Sequence, residues 1–243
     1  MPLTFNGNTP AAVTYNGNPV SEVTYNGVTV WSAAPASTPT KIYCSLISSW
    51  LVMGVYLTQV GSDSATIDWG DNSPTETSSA QTIEFDHTYA AAGDYIVTVT
   101  CSSGAAFSMD KQSYTSRTDI TKVEIGDGIA KILSSAFANV SSLTELKIGN
   151  STSIIDLSAF QDCTGLTSVV IGNGMANMRQ SCFNGCSSLA SITVNATTPP
   201  SLGRYAFTGV PADCAIYVPA DSVAAYQAAS QWSSHAAYIQ AIP

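Results

Sequence analysis

Leu143-Thr-Glu-Leu-Lys-Ile-Gly149 and, 23 residues further on, Leu166-Thr-Ser-Val-Val-Ile-Gly172 decide the fold of this 243-residue chain. The spacing holds position by position. Blocks begin at Ile120, Leu143 and Leu166; Ile125, Ile148, Ile171 and Val194 keep the interval, as do Phe137, Phe160 and Phe183, with Phe207 one residue late. Alternation through Leu143, Leu146 and Ile148 predicts a short strand with one buried side, and Gly149 ends it in a turn. The Phe that returns in every block is placed in a stacked core ladder. A single block cannot bury its own apolar side, so blocks of this period stack on one another and present a surface, which favours recognition over catalysis.

The residues Leu166-Thr-Ser-Val-Val-Ile-Gly-Asn-Gly174 and Cys182-Phe-Asn-Gly-Cys186-Ser-Ser-Leu189 resemble the BspA-like leucine-rich repeats of bacterial surface adhesins. The resemblance spans residues 120–243 and implies a short solenoid of three full coils and a distorted fourth. Ala215-Ile-Tyr-Val-Pro-Ala-Asp-Ser-Val-Ala-Ala-Tyr-Gln227, followed by Trp232, is similar to that family's terminal segment. Asp221 or Ser222 is expected to N-cap a short helix that carries Val223 and Tyr226 onto the last coil.

The same register sets Lys122 beside Glu145 and Glu124 beside Lys147 on the outward side of the strands. Such cross-strand pairs contribute about 0.2–1 kcal/mol each, so they read as register devices. Lys147, Ser168, Val170, Ser191 and Thr193 make the candidate ligand-facing surface, which becomes neutral towards the C-terminus and suits a glycan or protein partner. The plainer reading is an ordinary solvated strand face.

Between residues 39 and 104 the pattern changes. Trp69-Gly-Asp71, His87-Thr-Tyr89 and Gly93-Asp-Tyr95 resemble a PKD domain, which implies an immunoglobulin-like β-sandwich; residues 105–119 read as a linker. Alternation through Tyr95, Val97 and Val99 supports a sandwich independently. His87 with Asp68, Asp71 and Asp86 offers metal-ligand chemistry, but a turn in which Asp71 accepts backbone N–H groups and His87 forms a local hydrogen bond explains them better, and no metal is assigned. Cys44 and Cys101 pair if their strands bring them together, and otherwise stay thiols.

Residues 1–38 hold a second repeat, Leu3-Thr-Phe-Asn-Gly7, Val13-Thr-Tyr-Asn-Gly17 and Val23-Thr-Tyr-Asn-Gly27, and end in a Pro-containing linker. Asn-Gly is the strongest two-residue hairpin signal, because both positions tolerate positive φ. Phe5, Tyr15, Tyr25 and Trp31 have no evident core of their own, which suits an arm that docks on a particle; edge hairpins or a leader are the alternative. The arm resembles Tyr-Asn-Gly repeats of structural proteins in phages and prophages of gut bacteria.

Charge and composition narrow the function. A net charge of -9 with only 8 Lys plus Arg cannot neutralise a run of phosphates, so nucleic acid and anionic membranes are excluded. The longest apolar stretch, Leu46 to Val60, is too short and too interrupted to span a bilayer. Two histidines with no nucleophile context, no phosphate-cradling loop and no zinc spacing give no catalytic residue and no cofactor. Met1-Pro2-Leu3 does not open a secretory signal, so two modules of the cell exterior sit behind no export signal. The expected protein is a mainly β, non-enzymatic virion component: a fibre, capsid decoration or baseplate adhesin. It would dock by its N-terminus on other virion proteins and display its repeats to host or mucosal surfaces, as a homo-oligomer if at all. The alternative is a bacterial surface adhesin whose signal peptide lies outside this sequence.

Overall fold

The computed structural model describes residues 13–15, 18–20, 22–25, 28–32, 38–46, 51–58, 64–101, 104–109 and 120–243, in two compact units, residues 1–36 and 37–243. In the first unit, β1 (Val13–Tyr15) pairs antiparallel with β2 (Asn18–Val20), and β3 (Glu22–Tyr25) with β4 (Val28–Ser32). Tyr15 faces Asn18 and Tyr25 faces Val28, so the strands flank Asn16-Gly17 and Asn26-Gly27 as a hairpin reading requires. Tyr15, Tyr25 and Trp31 lie on these strands; Phe5 and the first Tyr-Asn-Gly-like block lie outside the described residues.

The second unit is mainly β. Its first strands are β5 (Thr40–Leu46), β6 (Leu51–Thr58), β7 (Ala65–Asp68), β8 (Glu76–Ser78), β9 (Thr82–Tyr89), β10 (Gly93–Cys101) and β11 (Ala105–Met109). The repeats then place one strand per block on each of two sheets. The larger receives β12 (Ile120–Ile125), β14 (Glu145–Ile148), β16 (Ser168–Ile171), β18 (Ser191–Val194), β20 (Ala215–Val218) and finally β21 (Ile239–Ala241). The smaller receives β13 (Ile129–Ile132), β15 (Ile154–Ile155), β17 (Asn177–Met178) and β19 (Ser201–Leu202).

Both sheets run on through residues 40–109 without a break. Strand order is β21-β20-β18-β16-β14-β12-β5-β10-β7-β8 in one and β19-β17-β15-β13-β11-β6-β9 in the other. β5 joins the parallel repeat strands to the antiparallel ones by pairing antiparallel with both β12 and β10, whereas β11 pairs parallel with β13 and antiparallel with β6. The segment expected as a linker from residue 105 therefore begins as a strand, because Ala105, Phe107, Ser108 and Met109 are buried between β6 and β13; residues 110–119 lie outside the described residues. One hydrophobic core extends from Ile42 to Ile239.

The Phe ladder occupies the middle of the repeats. Ring centroids of Phe107, Phe137, Phe160, Phe183 and Phe207 lie 5.8, 5.2, 5.3 and 6.1 Å apart in sequence, with planes within 23° of parallel. The backbone around each Phe repeats as well. Ser135, Ser158, Ser181 and Tyr205 have positive φ, and so do Asn139, Asp162, Gly185 and Gly209 four residues later. Asn, Asp and Gly tolerate that region best, which explains the second series. At the corner after each larger-sheet strand, a Cβ on Gly172 would stand 2.5 Å from the Gly149 carbonyl oxygen, so successive repeats close up only without one.

The expected terminal helix is present as α1 (Val223–Ala228), with Tyr226 buried. Its capping differs from expectation: neither Asp221 nor Ser222 caps it with a side chain. The Ser222 hydroxyl instead donates to the Thr197 carbonyl at 2.8 Å, the Tyr226 hydroxyl to Ala196 at 2.8 Å, and the Trp232 indole to Pro200 at 2.8 Å. All three acceptors lie in the stretch 195–200, which holds the one extra residue of the fourth repeat. The irregularity there supplies carbonyls that fasten the terminal segment.

Candidate ligand-facing surface

The outward side of the larger sheet forms two rows that cross its strands. The register aligns Ile96, Tyr43, Lys122, Glu145, Ser168, Ser191 and Ala215 in one row. Beside it run Thr98, Lys41, Glu124, Lys147, Val170, Thr193, Tyr217 and Gln240. The five candidate residues Lys147, Ser168, Val170, Ser191 and Thr193 thus sit on three adjacent strands and share a face. Alternation explains it, since Leu146, Ile148, Val169, Ile171, Ile192 and Val194 are all buried on the other side.

The charged part of the face is knit together. Lys122 Nζ lies 3.1 Å from Glu145 Oε1 and 3.2 Å from Glu124 Oε1, and stands over the Tyr43 ring at 5.4 Å from its centroid. Glu124 faces Lys147 in register, but its carboxylate also accepts from the Tyr43 hydroxyl at 3.0 Å. Burial works to raise the Glu124 carboxyl, yet the bonds from Lys122 and Tyr43 outweigh it and hold the group below the usual carboxylate range. The bond to Glu145, with that to Glu124, raises the Lys122 ammonium. Tyr43 is raised by burial first and by Glu124 second. Lys41 and Tyr43 were not expected on this face, because the sequence reading assigned their strand to a separate sandwich; the alternation of Ile42, Cys44 and Leu46 showed which side they take but not which neighbour β5 meets.

Past Lys147 the face is uncharged through Thr193, Ala215 and Tyr217. Val170 is 38 % exposed, an apolar side chain among hydroxyls. A neutral surface of hydroxyls with one apolar contact exchanges hydrogen bonds without paying to desolvate a charge. It has the chemistry to hold a polar, uncharged partner.

On the smaller sheet lies a cluster that the sequence reading missed. Buried Asp156 takes Lys131 Nζ at 2.6 Å and Arg179 Nη1 at 3.1 Å, and accepts the Leu157 N–H at 2.9 Å. Burial pushes its carboxyl up, and the bonds from Lys131 and Leu157 pull it further down, below the usual range. The three side chains come from three successive repeats, so the pair network ties the stack together. The 23-residue step from Asp156 to Arg179 was the available signal.

His87 and Asp71 meet as expected for a local hydrogen bond. His87 Nε2 is 2.7 Å from Asp71 Oδ2, Asp71 Oδ1 accepts the Ser73 N–H at 3.0 Å, and Asp68 Oδ1 accepts the Gly70 N–H at 2.9 Å. The imidazole stacks on Trp69 at 5.0 Å. Among the described residues no group of three His, Cys, Asp or Glu side chains could hold a metal ion.

The cysteines are structural. Cys163 Sγ donates to the Phe137 carbonyl at 3.1 Å and Cys186 Sγ to that of Phe160 at 3.2 Å. Cys44 lies opposite Tyr95 on β10, six residues short of Cys101, which is roughly 20 Å along an extended strand. The bridge considered from sequence is therefore out of reach.

Parallel ladders one strand per block, joined by turns that stack one aromatic on the next, define this part of the chain as a leucine-rich-repeat region. Residues 107–222 match the family described as BspA type leucine rich repeat region, in six copies. The match opens at Phe107, where the aromatic ladder begins, rather than at Ile120. Compared with curated proteins, the chain matches none.

Proposed function

We propose that this chain is a non-enzymatic attachment protein that binds a glycan or protein partner through the larger sheet. The observation that carries this is the in-register, uncharged patch of Ser168, Val170, Ser191 and Thr193 bordered by Lys147. The repeat family is typically related to surface adhesins, which fits such a role. A patch of this kind binds weakly by itself, and many copies on one carrier raise the avidity.

The carrier in this reading is a phage particle, with the chain serving as fibre, capsid decoration or baseplate adhesin. Its hairpin repeats of residues 1–36 dock on other virion proteins through Phe5, Tyr15, Tyr25 and Trp31, and the repeats face host or mucosal surfaces. Support comes from the paired strands around Asn16-Gly17 and Asn26-Gly27. The second reading, a bacterial cell-surface adhesin, is favoured by the repeat family itself.

Binding of the full chain to immobilised mucin and to a glycan array tests the attachment role, with Val170→Glu as the control. The expected result is at least a tenfold loss in the variant at unchanged thermal stability; equal retention of both proteins overturns the assignment of the face. Mass spectrometry of intact phage particles separates the two carriers, because peptides of the chain belong in the particle for one and in the cell envelope for the other.

A further inference from the structure

The stack ends with its backbone donors unused. In every earlier turn, three N–H groups spaced two residues apart reach carbonyls of the following repeat. Ser135, Phe137 and Asn139 donate to Leu157, Ala159 and Gln161 at 2.9, 2.7 and 2.8 Å; Ser158, Phe160 and Asp162 donate to Gln180, Cys182 and Asn184; Ser181, Phe183 and Gly185 donate to Arg204, Ala206 and Thr208. Tyr205, Phe207 and Gly209 hold the same places in the last turn. Among the described residues, no acceptor meets their N–H groups. On β19, the edge of the smaller sheet, Leu202 takes the place of Met178, whose carbonyl accepts from Gly203 at 2.7 Å; no described donor reaches the Leu202 carbonyl.

The apolar side of this end is already closed. Trp232 and His235 set their rings edge-on to Phe207 at 5.7 and 5.5 Å, completing the aromatic ladder. What stays open is a cleft of about 470 Å³ between Leu202–Thr208 and Gln231–His235. Arg204 lines it, and among the described residues it forms no ion pair. Tyr205 stands at its lip, 59 % exposed and held at φ 60°, where the three preceding turns use Ser135, Ser158 and Ser181. A bulky ring in the left-handed region is unfavourable without a compensating contact.

We infer that this cleft binds an acidic peptide segment, which adds one more turn to the stack. Carbonyls spaced two residues apart accept from Tyr205, Phe207 and Gly209, the Leu202 carbonyl takes one peptide N–H, and a carboxylate lies against Arg204. This is recognition by adding backbone to an open edge, with a charged side chain giving selectivity. The two-residue donor spacing fits a polypeptide main chain, as the three turns before it demonstrate, and the site differs from the face proposed for attachment.

The test uses the full ¹⁵N-labelled chain and the acetylated, amidated peptide Asp-Leu-Ser-Ala-Phe-Gln-Asp, which copies residues 156–162, whose carbonyls meet Ser135, Phe137 and Asn139 in the first turn and whose Asp156 N–H meets the Ile132 carbonyl at 3.0 Å. In the free protein the amides of Tyr205, Phe207 and Gly209 are expected to exchange with solvent at least a hundredfold faster than those of Phe160 and Phe183. Peptide should slow them at least tenfold and shift their resonances saturably. Arg204→Glu should weaken the peptide at least fivefold, and Val170→Glu should leave it unchanged. Protection of the three amides without peptide, no response at millimolar peptide, or equal affinity in Arg204→Glu each overturns the proposal.

Discussion

Phe107 stacks on Phe137 with ring centroids 5.8 Å apart and planes 12° from parallel, so the aromatic ladder of the repeats begins on a strand that also pairs antiparallel with β6. A side chain shared in this way makes the repeats and the preceding strands one cooperative body. Phe107→Ala is expected to cost about 3–5 kcal/mol, as for buried Phe truncations in general. Urea unfolding followed by far-UV circular dichroism and by tryptophan fluorescence should give one coincident transition, shifted as a whole in the variant. Two separated transitions would show that residues 40–101 and the repeats unfold independently.

Asp156 binds Lys131 and Arg179 from neighbouring repeats while almost wholly buried. Asp156→Ala strands two cations that remain partly exposed, so the expected loss is about 1–3 kcal/mol, below that for a fully buried pair. Lys131→Met should cost less, because Arg179 still neutralises the carboxylate. A double-mutant cycle by chemical denaturation checks the order.

Asp71 is held down to about 2, because bonds from Ser73 and His87 outweigh the upward push of burial. A carboxyl whose folded pKa lies below its unfolded value stabilises the fold fully above the unfolded value near 4, and that contribution fades as pH falls towards 2. Thermal unfolding of the wild type should therefore drop more steeply between pH 4 and pH 2 than that of Asp71→Asn, with the two curves parallel above pH 5.

Burial pushes the Cys186 thiol up to about 12 and those of Cys101 and Cys214 up to about 11. Thiolate is the reactive form, so these side chains should resist labelling by a disulfide reagent at pH 8 in the native protein and react within minutes in guanidinium. Fast native labelling at any of the three would contradict their placement in the core.

Much of this arrangement was legible because a fixed period imposes a fixed neighbour. Once Ile125, Ile148 and Ile171 are aligned, Lys122 must lie beside Glu145 and Lys147 beside Val170, and the register agrees. The Phe137–Phe160–Phe183 stack followed in the same way. The local bond between Asp71 and His87 was readable from a short turn motif.

What lies outside the period was not readable. The amino-acid sequence by itself determined the repeat, its buried and exposed sides, the paired charges and the late arrival of Phe207, since each depends on spacing within one block or between adjacent ones. Only the tertiary structure decided that β5 inserts beside β12 and β11 beside β13, because the first pairing joins residues as far apart as Thr40 and Gly126 and the second changes strand direction between β6 and β13, and both follow from shared burial rather than from local pattern. It likewise decided that Ala196, Thr197 and Pro200 receive the terminal segment and that the N–H groups of Tyr205, Phe207 and Gly209 are left without a following turn. A backbone group carries no sequence signature of whether its partner exists; that depends on where the stack stops.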